Sequence, residues 1–140
     1  MTLKIDPSLL QAIHKNGETA YPEEGAGLLL GRVDGELREV LSIVPLQNER
    51  EDGARHNRFL IPAKAMLHGE EEAIRQGLDV IGIFHSHPDS PNQPSEFDRE
   101  WAMPWYSYII TTVQNGQAMH SRSWRLVDDH SKYFEELIEN

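Results

Sequence analysis

The stretch Val80-Ile-Gly-Ile-Phe-His85-Ser-His87-Pro88-Asp-Ser-Pro91-Asn-Gln-Pro94-Ser95-Glu-Phe-Asp98 constrains this chain more than any other. Residues 80–84 are an apolar run with β-branched members, the pattern of a strand buried on both faces. Side chains alternate along a strand, so His85 and His87 leave it on the same face as near neighbours. Pro88 has no amide proton to give a ladder and stops the strand. Prolines at 88, 91 and 94 then predict a stiff, irregular loop. Ser95 fits a helix N-cap, with Asp98 three residues later in the first turn. A loop that turns this carboxylate back towards the strand end assembles His, His and Asp with a fourth position open, the arrangement of a catalytic zinc site. Taken singly, a histidine is an ordinary surface residue and Ser-x-x-Asp an ordinary helix start. Together, the five fixed positions of His-x-His-Pro and Ser-x-x-Asp match by chance on the order of 10⁻⁵ to 10⁻⁴ at roughly 5 % usage each. The joint pattern therefore favours a site.

With 140 residues the chain is read as one domain, 1–140, able to bury a substantial core. It has no cysteine, so disulfides and thiol nucleophiles are excluded, and a metal must be held by nitrogen and oxygen. Its 23 acidic and 13 basic residues give a formal net charge of −10, which argues against a partner that is tracked along its phosphate backbone. The same acidity serves solubility. The N-terminal stretch lacks the apolar core of a signal peptide, and no run approaches a membrane span, so a cytoplasmic protein with neither nucleic-acid nor membrane partner is expected.

Taken in order, Asp6-Pro7 opens a first helix that Asn16-Gly17 closes. Residues 18–27 are turn-like, and either Glu23 or Glu24 could be a solvated surface acid. Residues 28–33 and 37–44 are read as a hairpin joined at Asp34-Gly35. Residues 47–58 are read as an exposed loop in which His56 is a surface residue. Pro62 opens a second helix with Ala63, Met66, Leu67, Ala73 and Ile74 on its apolar face, a Glu71–Arg75 pair outside, and Gly77 at its end. A short helix from Ser95 ends near Met103-Pro104, and Trp101 and Trp105 pack in the core. Residues 106–113 and 118–127 are strands joined at Asn115-Gly116. A last helix starts at Asp128 or Asp129 and buries Tyr133, Phe134, Leu137 and Ile138. This order gives one α/β domain around a mixed sheet.

The core His85-x-His87-Pro88…Ser95-x-x-Asp98 resembles the JAMM motif of the MPN-domain (Mov34/JAB) metalloproteases. Pro22-Glu23-Glu24-Gly25-Ala26-Gly27 resembles the family's Pro-x-Glu-x-x-Gly setting, with Glu24 in the glutamate position. Similarity to small, stand-alone bacterial members continues through Asn48, Arg58-Phe59 and Ser123-Trp124-Arg125-Leu126. The resemblance implies a single MPN domain with a curved mixed sheet flanked by helices, cytidine-deaminase-like. It implies one Zn²⁺ held by His85, His87 and Asp98, with Glu24 carrying protons and Ser95 stabilising the oxyanion. Its implied activity is hydrolysis of the bond after the C-terminal Gly-Gly of ubiquitin-like or sulphur-carrier proteins. The alternatives are release of a small adduct, such as an amino acid, from a sulphur carrier, or a non-catalytic interaction scaffold. Ser86, on the opposite face of the strand, is expected to be structural.

Overall fold

The computed structural model describes residues 1–46, 63–95, 98, 102–126 and 131–140. Its elements are β1 (Thr2–Ile5), α1 (Pro7–Ala20), β2 (Ala26–Asp34), β3 (Leu37–Leu46), α2 (Ala63–Gln76), β4 (Asp79–Pro88), β5 (Ser107–Gln114), β6 (Gln117–Leu126) and β7 (Tyr133–Glu139). The expected mixed sheet curves far enough to close on itself, as a barrel in the order β1-β3-β2-β4-β5-β6-β7. Parallel pairing of β1 with both β3 and β7 makes the closure, and β4 and β5 are also parallel. The expected loop over 47–58, with His56, and Trp101 lie outside the described residues. Among the described residues no helix is long and apolar enough to cross a membrane.

Alternation along the strands, offset on β4 by Ile81 as an extra residue in the register with β2, sorts the apolar residues into two cores. Leu3, Ile5, Leu29, Val40, Ile81, Phe84 and Ile109 pack together with Ile13 of α1 and fill the barrel. Leu28, Leu30, Val80, Ile83, Tyr108 and Leu126 face the other way and pack with Met66 and Ala73 of α2 and with Ala102 and Tyr106. The barrel is not paired along its whole height. β3 pairs with β1 only as far as Val40, and β6 pairs with β7 only from Ser123 onward. Helix α1 packs against β3 and β6 at this opening. Glu18 Oε2 accepts from the Ala118 amide of β6 at 2.8 Å, and His14 Nε2 lies 2.8 Å from Ser121 Oγ.

Several elements differ from their sequence expectations, each for a physical reason. α1 starts at Asp6-Pro7 as expected, the Asp6 carboxylate accepting from Ser8 N at 2.8 Å, but it runs through Gly17 to Ala20. Gly17 is a close-approach residue here, since a Cβ would stand 3.0 Å from Val113 Cγ2 and 3.1 Å from Ser86 Cβ. On α2 the buried line is Gly69 and Ala73 with Met66 half-buried, while Leu67 and Ile74 are exposed; Gly69 lets the helix settle on Leu28. Arg75 pairs with Glu72 at 2.9 Å rather than with Glu71. Gly77 ends the helix as expected, with Leu78 N bonded to Ala73 O and Gly77 N to Ile74 O. The expected C-terminal helix is strand β7, whose one fully buried residue is Glu136, accepting from Ser123 Oγ at 2.7 Å. Trp105 is half-exposed rather than core, with the Arg38 guanidinium 5.5 Å from its ring centroid. β1 is an element with no counterpart in the sequence reading.

Gly31 marks a tight point, because a Cβ there would run into the Glu39 carbonyl of the neighbouring strand, at the irregularity between Leu30 and Gly31. Backbone in a closed sheet yields little, so Gly31→Ala should destabilise by about 3 kcal/mol. Gly35, with φ +62° and nothing within 4 Å of an added Cβ, should lose only about 1 kcal/mol on the same change, for its left-handed backbone. Urea unfolding of the two variants, with unchanged m-values, checks this ranking.

Candidate metal centre

Two strand ends make the site. β2 and β4 run antiparallel with Ala26 opposite His85, which sets Glu24 beside the histidine strand. Ser86 locks that placement on the face away from the histidines: Gly25 N donates to Ser86 Oγ at 2.8 Å, and Ser86 N donates to Gly25 O at 3.0 Å. Glu23 is exposed, whereas Glu24 is 2 % exposed. His85 and His87 leave the same face of β4, with ring centroids 5.0 Å apart.

Asp98 arrives from the far side of the proline-rich loop, held by reciprocal bonds with Ser95. The Asp98 amide donates to Ser95 Oγ at 3.0 Å, and the Ser95 amide donates to Asp98 Oδ2 at 2.9 Å. This is a capping arrangement in which the carboxylate also faces the metal strand. Asp98 Oδ2 is 3.1 Å from His87 Nε2, and Oδ1 is 3.9 Å from His85 Nε2. On the other side of the same ring, His85 Nδ1 is 3.3 Å from Glu24 Oε1. Ser95 itself is exposed at the rim, and its Oγ accepts from Asp98 N, so its hydroxyl proton remains able to donate.

All four groups, Glu24, His85, His87 and Asp98, thus meet in one buried cluster. Among the described residues, Glu24, His85 and His87 offer ligand atoms within 4.8 Å of one another, and Asp98 stands within 3.9 Å of Nε2 of both histidines. Burial opposes charge on His87, but the bond and charge of Asp98, the Pro91 carbonyl and Glu24 raise its pKa overall. Burial likewise pushes Asp98 up, yet His85, His87 and the Ser95 amide hold its carboxyl far below the usual range. The two shifts describe an imidazolium–carboxylate pair in which each partner stabilises the other's charge.

The donor chemistry fits a cation. His87 Nδ1 lies 2.7 Å from the Pro91 carbonyl oxygen, which can only accept, so Nδ1 carries the proton. In the neutral ring Nε2 is then a lone-pair donor, and it faces a carboxylate oxygen 3.1 Å away. Two acceptors at that distance need a positive species between them, a proton or a metal ion. An outward-held Nδ1–H and an inward Nε2 are what a metal-ligating histidine presents.

The sequence reading anticipated neither the Pro91 carbonyl nor the ties that hold its loop. Asp89 N donates to Val113 O at 2.8 Å, Asp89 Oδ2 accepts from Tyr21 at 2.6 Å, and Thr112 Oγ1 donates to Ser90 O at 2.8 Å. Beyond Asp98, the Tyr108 hydroxyl accepts from Met103 N at 2.7 Å, and burial pushes that phenol up to about 12. Backbone acceptors carry no sequence signal; the indole of Trp124, which donates to the Asn92 carbonyl of this loop, was visible only as part of a family-like strand.

Residues 6–127 match the family described as prokaryotic homologs of the JAB domain. A probable TtuB-protein conjugate cleaving protease of Thermus thermophilus is 31 % identical over 108 residues, covering 75 % of this chain and 68 % of the relative. A desampylase of Haloferax volcanii is 34 % identical over 116 residues, covering 81 % and 79 %. Among solved structures, a protein from Salinibacter ruber determined in solution superposes with a TM-score of 0.77 at 36 % identity, covering 98 % and 91 %.

Proposed function

Since this chain belongs to the prokaryotic homologs of the JAB domain, we propose that it is a zinc-dependent peptidase acting on conjugates of a ubiquitin-like or sulphur-carrier protein, cutting after a C-terminal Gly-Gly. The observation that carries the reading is the convergence of two imidazoles and two carboxylates at the mouth of β4, buried yet beside an exposed rim hydroxyl. The names of the Thermus and Haloferax relatives, a conjugate-cleaving protease and a desampylase, support the substrate class.

His85, His87 and Asp98 would hold the metal, His87 through Nε2. Zinc bound by three such ligands supplies Lewis acidity and a water that ionises near neutral pH. Glu24, whose buried carboxylate stands beside His85, would take a proton from the attacking water and pass it to the leaving amine. Ser95 donates its hydroxyl to the carbonyl oxygen as charge develops there. Glycines ahead of the scissile bond suit the site because they let an extended tail lie close to a narrow, proline-walled mouth without side-chain clashes. Binding strength then comes mainly from the folded body of the carrier.

The test is cleavage of fusions of small β-grasp proteins ending in Gly-Gly, read by mass spectrometry, against versions with each glycine changed to alanine and against the isolated tail. A single cut after the second glycine is expected, with the alanine versions and the free tail slower by about tenfold or more, a change in barrier of ~1.4 kcal/mol. Efficient cutting of the alanine versions, or of unrelated unfolded proteins at many places, would mark a general peptidase instead.

Ser95→Ala separates two roles for one hydroxyl. As an oxyanion donor its loss should lower kcat by roughly 10²–10³. As a cap on Asp98 N its loss should destabilise by only about 1 kcal/mol. Normal turnover accompanied by that small stability loss would leave Ser95 a cap alone.

A further inference from the structure

We propose that Trp124 is a positioning residue for His87, acting through the backbone of the 89–95 loop; the inference rests on the reading of His87 as a metal ligand. Trp124 lies on β6. Its Nε1 donates to the Asn92 carbonyl at 3.0 Å, and Asn92 is the residue next to Pro91, whose carbonyl takes His87 Nδ1–H at 2.7 Å. Asn92 is fixed a second time, by Nδ2 donating to the His120 carbonyl of β6 at 3.0 Å. Two consecutive residues of the loop are thus tied at opposite ends, one to the barrel wall and one to the imidazole.

The indole is itself braced. The Arg122 guanidinium sits 4.6 Å from the Trp124 ring centroid and is held by Glu135 of β7, Nε to Oε2 at 2.9 Å and Nη2 to Oε1 at 2.6 Å. A bidentate pair of this kind has a fixed direction, and a cation over a ring face restrains the ring's tilt. The chain of contacts runs from β7 through Arg122, Trp124 and Asn92 to Pro91. At its end the Pro91 carbonyl determines which ring nitrogen of His87 carries hydrogen, and so which one can donate its lone pair. Without the tie the loop carbonyl drifts, the ring samples both neutral tautomers, and metal affinity falls.

Trp124→Phe removes the N–H and keeps the ring. The zinc dissociation constant, measured by competition with a chromophoric chelator, should rise about 10- to 100-fold, the size of effect that outer partners of metal ligands carry. The melting temperature of the zinc-free protein should change little. In ¹⁵N-labelled zinc-free protein at a pH where His87 is neutral, its imidazole should shift from the Nδ1–H form to a tautomer mixture. Thr112→Val, which releases Ser90 O in the same loop, should move affinity in the same direction by less. Ser121→Ala, whose hydroxyl meets Thr111 Oγ1 and His14 Nε2 rather than the loop, should leave zinc affinity unchanged. Affinity within about twofold of wild type in Trp124→Phe would overturn the proposal, leaving the proposed function intact if the wild type still binds zinc and cleaves. An equal loss in Ser121→Ala would also overturn it, by showing general loosening of β6.

Discussion

Glu24→Gln should abolish most hydrolysis while the protein still folds and still binds zinc. The side chain is buried beside His85, and the amide is nearly isosteric with the carboxylate. A glutamine keeps the side chain's shape and a polar atom facing His85 Nδ1, which lies 3.3 Å from Glu24 Oε1, so the pocket's packing is retained. What is lost is the ability to carry a proton, and positioned acid–base groups contribute about 10²–10⁴-fold. Turnover should therefore fall by that factor with KM little changed, since no substrate contact is removed. Glu23→Gln, at an exposed neighbour, should be nearly silent. The measurement pairs single-turnover kinetics with elemental analysis. If Glu24→Gln also loses zinc, Glu24 is a ligand, as its convergence with His85 and His87 allows, and the proton must be moved by another group.

Asp98→Ala should reduce bound zinc from about one per chain to near none, since a site of three protein ligands does not keep its metal on two. Both histidines face this carboxylate, at 3.1 Å and 3.9 Å. Removing it leaves two imidazoles with no acidic partner on that side among the described residues. The fold should survive, because the reciprocal bonds with Ser95 are worth only about 1 kcal/mol. Asp98→Asn keeps a group able to accept from the Ser95 amide while dropping the charge, so it separates capping from coordination. Full zinc occupancy in Asp98→Ala, read by elemental analysis of the purified protein, would remove this residue from the site and favour the Glu24 set.

The stretch from Val80 to Asp98 was legible because its information is local. Alternation put two histidines on one face, proline stopped the strand, and Ser95 and Asp98 form the reciprocal capping bonds that their spacing suggests. Helix starts and turns were legible for the same reason: Asp6 caps α1, and Asn115-Gly116 with φ of 51° and 81° joins β5 to β6. Features decided by distant partners were not. Tyr133, Phe134, Leu137 and Ile138 satisfy a helical stripe, yet pairing with β6 and β1 makes them a strand. Leu67 and Ile74 share a helical flank with the apolar face, but Gly69 is where the sheet comes closest, so the helix rolls to bury it. Choosing Glu24 over Glu23 needed the family resemblance, because adjacent identical residues differ only in where the backbone aims them. The closure of the sheet was invisible for a simpler reason: β1 is four residues long, and its two parallel neighbours are set by the whole chain.

That closure also bears on how the chain is made. A nascent chain leaving the ribosome can pair β1 with β3 early, through Thr2 and Leu37, but the second edge of β1 waits for Leu137. Until β7 emerges, β1 and β6 both present unpaired backbone, and one side of the inner apolar row is open to water. Contacts so far apart in sequence form slowly, because a long loop must be ordered before they contribute anything. The incomplete barrel is the species most open to chaperones and most prone to stray pairing with other chains. Arrest of synthesis before residue 133 would hold the molecule in that state, with the histidine strand already built and the wall behind Trp124 still missing.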